Sequence, residues 1–206
     1  PTMNRSEVQP FFNAPELLPL DNLDAIVLTH AHVDHIAMLP VLFKYGYRGP
    51  VYCTAPTRDL MTLLQMDYIK VNQAEGSEPP YSKADIQECI KHVVDIRWGD
   101  KTDIAPDVKV TLENAGHILG SSSVYMQIGE GNSEHRLLFS GDIKYERSWL
   151  FDSATVRFPK VETLVIESTY GGPQDFQPNR QDATQELQDL VRLALSRGGK
   201  IFCPVF

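Results

Sequence analysis

Three of the chain's six histidines fall within six positions of one another, in the stretch THAHVDHIAM at 29–38, and Asp34 stands between the second and third of them. The stretch follows an apolar β-branched run, DAIVLT at 24–29, and leads into an apolar segment with helical spacing. Imidazoles concentrated at a strand-to-helix junction point to a fold that presents loops at strand ends, because rigid flanking elements are needed to hold several donors in place. In an extended segment alternate side chains share one side, so His30, His32 and Asp34 can converge while His35 turns toward a neighbouring position. Neutral imidazole nitrogen and carboxylate oxygen are ligands that Zn2+ takes at about 2.0–2.2 Å. One tetrahedral ion cannot comfortably use four adjacent groups plus water, whereas two ions can share them. The alternatives are a histidine-rich surface loop, or core imidazoles satisfied by backbone. Three histidines with an interposed aspartate at such a junction favour the metal.

The hydrophobic pattern of the remaining chain changes period many times. PVYCT at 50–54, VKVTL at 108–112, VYMQI at 124–128, RLLFS at 136–140 and ETLVIES at 162–168 read as further strands, several buried on both faces. Helical spacing occurs at 36–45, at 56–72 after Pro56, and at 83–92. A fourth helix is predicted over 180–197, with Ala183, Leu187, Leu190, Val191 and Ala194 on one stripe and Gly198 and Gly199 as its stop. This mixture predicts an α/β arrangement of sheets covered by helices, with the chemistry on strand-end loops. GGPQDFQPNRQ at 171–181 is the linker candidate, and KIFCPVF at 200–206 reads as a buried strand of a second, incomplete domain.

At 206 residues and 42% hydrophobic composition, the chain can bury one sizeable core and part of another. No apolar run approaches the roughly 20 residues of a membrane helix, and no signal-peptide pattern opens the sequence, which reads as soluble and cytoplasmic. Cys53, Cys89 and Cys203 are odd in number and widely spaced, so buried free thiols are expected rather than a disulfide framework or a cysteine zinc site. A formal charge of -8 argues against a generally basic nucleic-acid-binding surface. It leaves open a nucleic acid substrate that docks on bound divalent cations.

Further donors are expected downstream. NAGHILGSSS at 114–123 places His117 between two glycines on a loop leading into a strand, and FSGDIKYE at 139–146 places Asp142 just past one. Alone, His117 reads equally as ligand or surface residue and Asp142 as a turn former. The setting they share with the first cluster raises both.

HAHVDH, then His117 in GHILGSS, then Asp142 in SGD resemble in order and spacing the second, third and fourth motifs of the metallo-β-lactamase fold, an αββα sandwich. ESTYG at 167–171 resembles the first motif of its β-CASP branch of nucleases. GPVYCTAPTRDLMTLLQMDYI and FPKVETLVIESTYGG are most similar to archaeal homologues of the endonuclease subunit of the cleavage and polyadenylation specificity factor. The resemblance covers nearly the whole chain. It implies a metallo-β-lactamase domain over 1–172 and the beginning of a β-CASP cap over 173–206. It implies two zinc ions: one on His30, His32 and His117, the other on Asp34 and His35, with Asp142 bridging. Glu167 would match the family carboxylate that orients a distal histidine thought to act as general acid. Catalytic roles would fall to Asp34, Asp142 and Glu167, and the implied activity is RNA phosphodiester hydrolysis in transcript 3′-end processing or termination, as an endoribonuclease with possible 5′-3′ exonuclease action.

The sequence departs from the family at both ends. PTMNRSEVQPFFNAP lacks the family's first motif, and the last β-CASP motifs would follow PVF. The chain is therefore expected to be an internal fragment without one ligand of the second zinc and without the general acid. Weak zinc binding at the second position and negligible RNA cleavage follow. Upstream KH domains and a homodimer built through regions outside these residues belong to the same expectation. A small-molecule thioester or lactam hydrolase of the same fold, and a scaffold subunit without metals, are the alternatives.

Other residues receive plainer readings. His92 and His135 are expected to be solvated, and Trp98 and Trp149 to be packing or domain-contact aromatics. Met61, Leu64 and Tyr68 read as core, and Lys44, Arg48 and Arg58 as solvated charge.

Overall fold

Short runs of valine, isoleucine and threonine separated by turns build two sheets. In the computed structural model, which describes residues 15–204, the first sheet is parallel, in the order β1 (Ile26–Val27), β2 (Val51–Cys53) and β3 (Val93–Asp95). The second runs in sequence order through β4 (Lys101–Ala105), β5 (Val108–Asn114), β6 (Ser122–Ile128), β7 (His135–Phe139) and β8 (Thr163–Val165). It is antiparallel as far as β7, and β8 then joins β7 in parallel. Parallel neighbours need crossover connections, and helices supply them. These are α1 (Val33–Ile36), α2 (Leu39–Lys44), α3 (Ala55–Ala74) and α4 (Lys83–Lys91). Thr54 caps α3 by accepting from the Thr57 N–H, and a reciprocal Ser82–Asp85 capping box starts α4.

Side-chain alternation sorts these elements into layers. Val51 and Cys53 of β2 pack on Ile36, Leu39, Leu42, Phe43, Met61 and Cys89 of the helices, forming the larger core. Val27 and Tyr52 face the second sheet and pack on Val110, Leu112, Val124 and Met126. The register pairs Val110 with Met126 and Leu112 with Val124, so all four lie on one face. The α/β sandwich expected from the sequence is thus formed by a helical layer and two facing sheets. Its compact unit ends at Glu167, and a second begins at Ser168 and contains α5 (Arg180–Ser196).

Register also decides where the loops gather. Val27 lies beside Tyr52, Val124 beside Phe139, and Phe139 beside Val165. The segments after β1, β2, β7 and β8 and the loop between β5 and β6 therefore emerge at one edge. The Ser122 N–H donates to the Thr29 carbonyl at 2.8 Å and joins the two sheets there.

Several expectations need correction. The helix placed at 36–45 starts at Val33 and breaks between Ile36 and Leu39, so the extended backbone ends at His32. Asp34 therefore sits on a helical turn and does not converge with His30 and His32 by alternation. β3 and β4 were not anticipated, because VVD is short and KTDIA mixes charge with little apolar content. The α5 stripe is not buried, since a lone helix has no partner layer within its own unit. Ile201–Pro204, the described part of KIFCPVF, is exposed and forms no strand, so Cys203 is an exposed thiol. Cys53 and Cys89 are buried as expected. Trp98 and Trp149 are 46% and 77% exposed, and the Trp98 indole N–H donates to Ser122 Oγ at 2.9 Å. His92 is partly buried against Phe43 and Glu88 rather than solvated. His135 is exposed and bonded to Thr163 Oγ1. Lys44 and Arg48 are exposed as expected and also donate to backbone carbonyls, and the partly exposed Arg58 pairs with Asp59 and Asp95. Met61 is fully buried, with Leu64 and Tyr68 packed on the core. The segment searched for the family's first motif lies, apart from Pro15, outside the described residues.

Candidate metal centre

Three of the gathered segments deliver one cluster. The segment after β1 brings His30 and His32, and the first turn of α1 brings Asp34 and His35. The loop between β5 and β6 brings His117, and the turn after β7 brings Asp142. His32 Nδ1 lies 3.1 Å from His30 Nε2 and 3.0 Å from His117 Nε2. Asp142 Oδ2 lies 3.7 Å from His30 Nε2 and 3.5 Å from His117 Nε2. All four donor atoms fall within 4.8 Å of one another. Ligands at about 2.0–2.1 Å around a tetrahedral ion would be separated by roughly 3.3–3.4 Å, so this set fits a zinc-sized cation.

A second group adjoins the first. The other Asp142 oxygen, Oδ1, lies 3.6 Å from His35 Nε2, which is 3.5 Å from Asp34 Oδ2. One carboxylate therefore faces both groups, an oxygen toward each. The six residues singled out from the sequence as ligands stand in these two groups, which meet at Asp142 and also through the rings of His30 and His35, 4.1 Å apart between centroids.

Burial tunes the donors. His30 is fully buried, and desolvation first, then neighbouring His35, His32 and His117, push its pKa down to about 3. His117 is also lowered, chiefly by burial and by His32, with Asp142 and Glu167 opposing. Both rings are thus neutral at pH 7, the state in which imidazole offers a lone pair. Thr29 Oγ1 lies 3.1 Å from His30 Nδ1. With Nδ1–H donated to that hydroxyl, Nε2 is left as the ligand atom facing the cluster.

The turn bearing Asp142 is held from two directions. Gly141 has φ +57, and a Cβ there would lie 2.8 Å from Thr29 Cβ, so only glycine fits this crossing of loops. Glu167 Oε1 accepts from the Ile143 N–H at 2.7 Å, and its own N–H donates to Ser140 Oγ at 3.1 Å. Among the described residues Glu167 thus fixes the backbone beside Asp142. Sequence reasoning missed Thr29 and Ser140. A hydroxyl adjoining a suspected ligand histidine, or preceding the Gly-Asp turn, was the available signal.

Compared with known families, residues 4–205 match the beta-lactamase superfamily domain. Among individual relatives, the chain is 52% identical over 197 residues to transcription termination factor FttA of Methanothermobacter thermautotrophicus, covering 96% of this chain and 30% of that protein. The FttA of Methanocaldococcus jannaschii is 52% identical over 197 residues, with 96% and 31% covered. That of Lokiarchaeum is 47% identical over 202 residues, with 98% and 31% covered. The chain thus spans about 30% of the length of the relatives it matches. Sandwich, strand-edge cluster and near-complete domain match agree: the chain belongs to the beta-lactamase superfamily.

Proposed function

We propose that this chain carries the two-zinc centre of a nuclease that hydrolyses RNA phosphodiester bonds, acting in transcript 3′-end processing or termination. The observation that carries the reading is the meeting of His30, His32 and His117 with one oxygen of Asp142 while the other oxygen faces His35. Zinc ions held there would supply a water activated at neutral pH and positive charge against the phosphoryl oxygens. The chain's own groups set the conditions. His30, His32 and His117 would hold one ion, Asp34 and His35 the other, and Asp142 would bridge. The Asp34 side chain is 79% exposed and so stands on the open side, where it can accept a proton from water. Glu167 holds the Asp142 turn in place.

The names of the FttA relatives support an RNA substrate. A formal charge of -8 concentrates attraction for phosphate at the metal site instead of a basic surface. The start of a β-CASP cap at residue 173 belongs to the same proposal and is supported by the break between compact units after Glu167. No described helix is long and apolar enough to cross a membrane. A cytoplasmic site of action, upstream KH domains and a homodimer complete the reading.

Zinc content, cleavage of an end-labelled RNA oligonucleotide and hydrolysis of a thioester, measured side by side on this chain and on a C-terminally extended one, test it. Zinc uptake that depends on His30, His32 and His117, with zinc-dependent RNA cleavage by the extended chain, is expected. Thioester turnover without RNA cleavage would transfer the site to the small-molecule alternative, and a folded chain that takes up no zinc would refute the metal centre.

A further inference from the structure

His117 differs from the other imidazoles in how it is held. His30 is buried and bonded through its second ring nitrogen to Thr29, and His32 stands at the start of α1. His117 lies in the irregular loop between β5 and β6, with a side chain 27% exposed. No strand or helix fixes its backbone, so local bonds must do so. The loop carries buried hydroxyls in the stretch GSSS, and the ligand chemistry above uses none of them.

Ser121 Oγ accepts from the His117 N–H and from the Ile118 N–H, both at 3.1 Å. The Ser121 backbone closes the same turn, donating to the Ile118 carbonyl at 3.0 Å and accepting from the Ala115 N–H at 3.1 Å. One residue further back, the Gly120 carbonyl is approached by three hydroxyls: Thr54 at 2.8 Å, Thr57 at 3.1 Å and Ser122 at 3.2 Å. Thr54 and Thr57 belong to the cap and first turn of α3, so this carbonyl seats the His117 loop on a 20-residue helix. The seat is close, since a Cβ at position 120 would lie 2.6 Å from Thr54 Oγ1. Thr57 and Ser121 are fully buried, and Ser122 and Thr54 nearly so. Water cannot replace these bonds, and each lost donor or acceptor leaves a desolvated partner.

We propose that Ser121, with the Gly120 carbonyl anchored by Thr54, Thr57 and Ser122, is the positioning group that sets His117 Nε2 at the metal centre. The inference rests on the metal reading above. It gives the helix after β2, which supplies no ligand, a share in metal affinity: α3 fixes the loop, the loop fixes the His117 backbone, and the backbone fixes the ring. Outer-layer partners of this kind typically change metal affinity about 10–100-fold when removed.

Titration of the purified, metal-free chain with Co2+ tests the proposal, because visible d–d absorption reports tetrahedral coordination and chelator competition gives affinity, both independent of turnover. Ser121→Ala is expected to weaken the tight site about 10–100-fold and to reduce the absorption intensity. The double variant Thr57→Val/Ser122→Ala, which keeps the Thr54 cap, should shift both in the same direction, and Thr57→Ser, which keeps the hydroxyl, should match the parent chain. A purely structural role would lower thermal stability and leave the affinity and spectrum of the folded protein unchanged. Folded variants with parental affinity and spectrum would therefore overturn the inference, and if Ser121→Ala does not fold, the double variant decides. A parent chain that takes up no Co2+ removes the metal reading and this inference with it, whereas a parent that binds normally beside unaffected variants removes the inference alone.

Discussion

Replacing Gly141 by alanine should damage both the fold and the metal centre, by an amount that can be worked from its surroundings. Alanine held at φ +57 costs about 1–2 kcal/mol in left-handed backbone. Its Cβ would also lie 2.8 Å from Thr29 Cβ and 3.0 Å from Thr29 Cγ2, well inside the roughly 3.5–4.0 Å at which carbons rest. Thr29 has little room to retreat, because its carbonyl holds the Ser122 N–H at 2.8 Å and its hydroxyl meets His30 Nδ1 at 3.1 Å. Overpacking of this kind adds about 1–3 kcal/mol, for a total of about 2–5 kcal/mol. Gly76 supplies the control. Its φ is +72, but nothing lies within 4 Å of an added Cβ, so alanine there meets the backbone penalty alone. Urea unfolding of the metal-free chain should place the Gly141→Ala midpoint below that of Gly76→Ala by roughly 0.5–1.5 M, taking a slope of about 2 kcal/mol per molar. Zinc uptake should fall in the first variant and not in the second, because residue 141 adjoins Asp142 and Thr29 adjoins His30. Equal midpoints for the two variants would refute the close approach of the loops.

In equilibrium dialysis against excess zinc, Asp142→Asn should lose the weaker second ion and keep the first, since an amide offers one oxygen where the carboxylate offers two; uptake equal to the parent's at every zinc concentration would rule out bridging by this residue. With a disulfide reagent in the absence of denaturant, Cys203 should react quickly while Cys53 and Cys89 wait for unfolding; fast reaction of more than one thiol would contradict their burial. Burial pushes both of those thiols up to about 12 from an ordinary 9.0. The folded state then holds more protons than the unfolded one in that window, so stability is full below about pH 9 and falls as pH rises toward 12. Flat stability across the window, followed by urea unfolding of Cys53→Ala/Cys89→Ala beside the parent, would show that the thiols do not contribute.

The cluster was legible in the sequence because its donors are rare residue types placed just past apolar strands. Histidine and aspartate there have few structural reasons to recur, so His117 and Asp142 could be matched to His30 and His32 across a long stretch of chain. What the sequence hid was backbone conformation inside the motif. Period-two reasoning carried Asp34 to the side of His30 and His32, but the helix begins at Val33 and turns Asp34 toward His35 instead. β4 was hidden because its alternation is carried by threonine, isoleucine and alanine among charges, and its place is fixed only by pairing with β5. The hydroxyls of Thr54, Thr57 and Ser122 were hidden for another reason. Serine and threonine are common at caps and turns, so only coordinates show that three of them meet one carbonyl.

The division of donors between the sheets explains why the supporting bonds matter as much as the ligands. His30, His32, Asp34 and His35 follow β1 in the parallel sheet, whereas His117 and Asp142 flank strands of the other sheet. A slip between the sheets of even an ångström would separate donors now 3.0–3.7 Å apart. The two layers meet through the apolar contacts of Val27 and Tyr52 with β5 and β6, which are non-directional and fix spacing better than sliding. Directional restraint at the site edge comes from the Ser122 N–H on the Thr29 carbonyl, the threonine hydroxyls on Gly120 and the contact of Gly141 with Thr29. These three links tie the parallel sheet and α3 to the loops of the antiparallel sheet. They give the edge a single geometry before any ion arrives, so that binding energy goes to the ion instead of to aligning the layers.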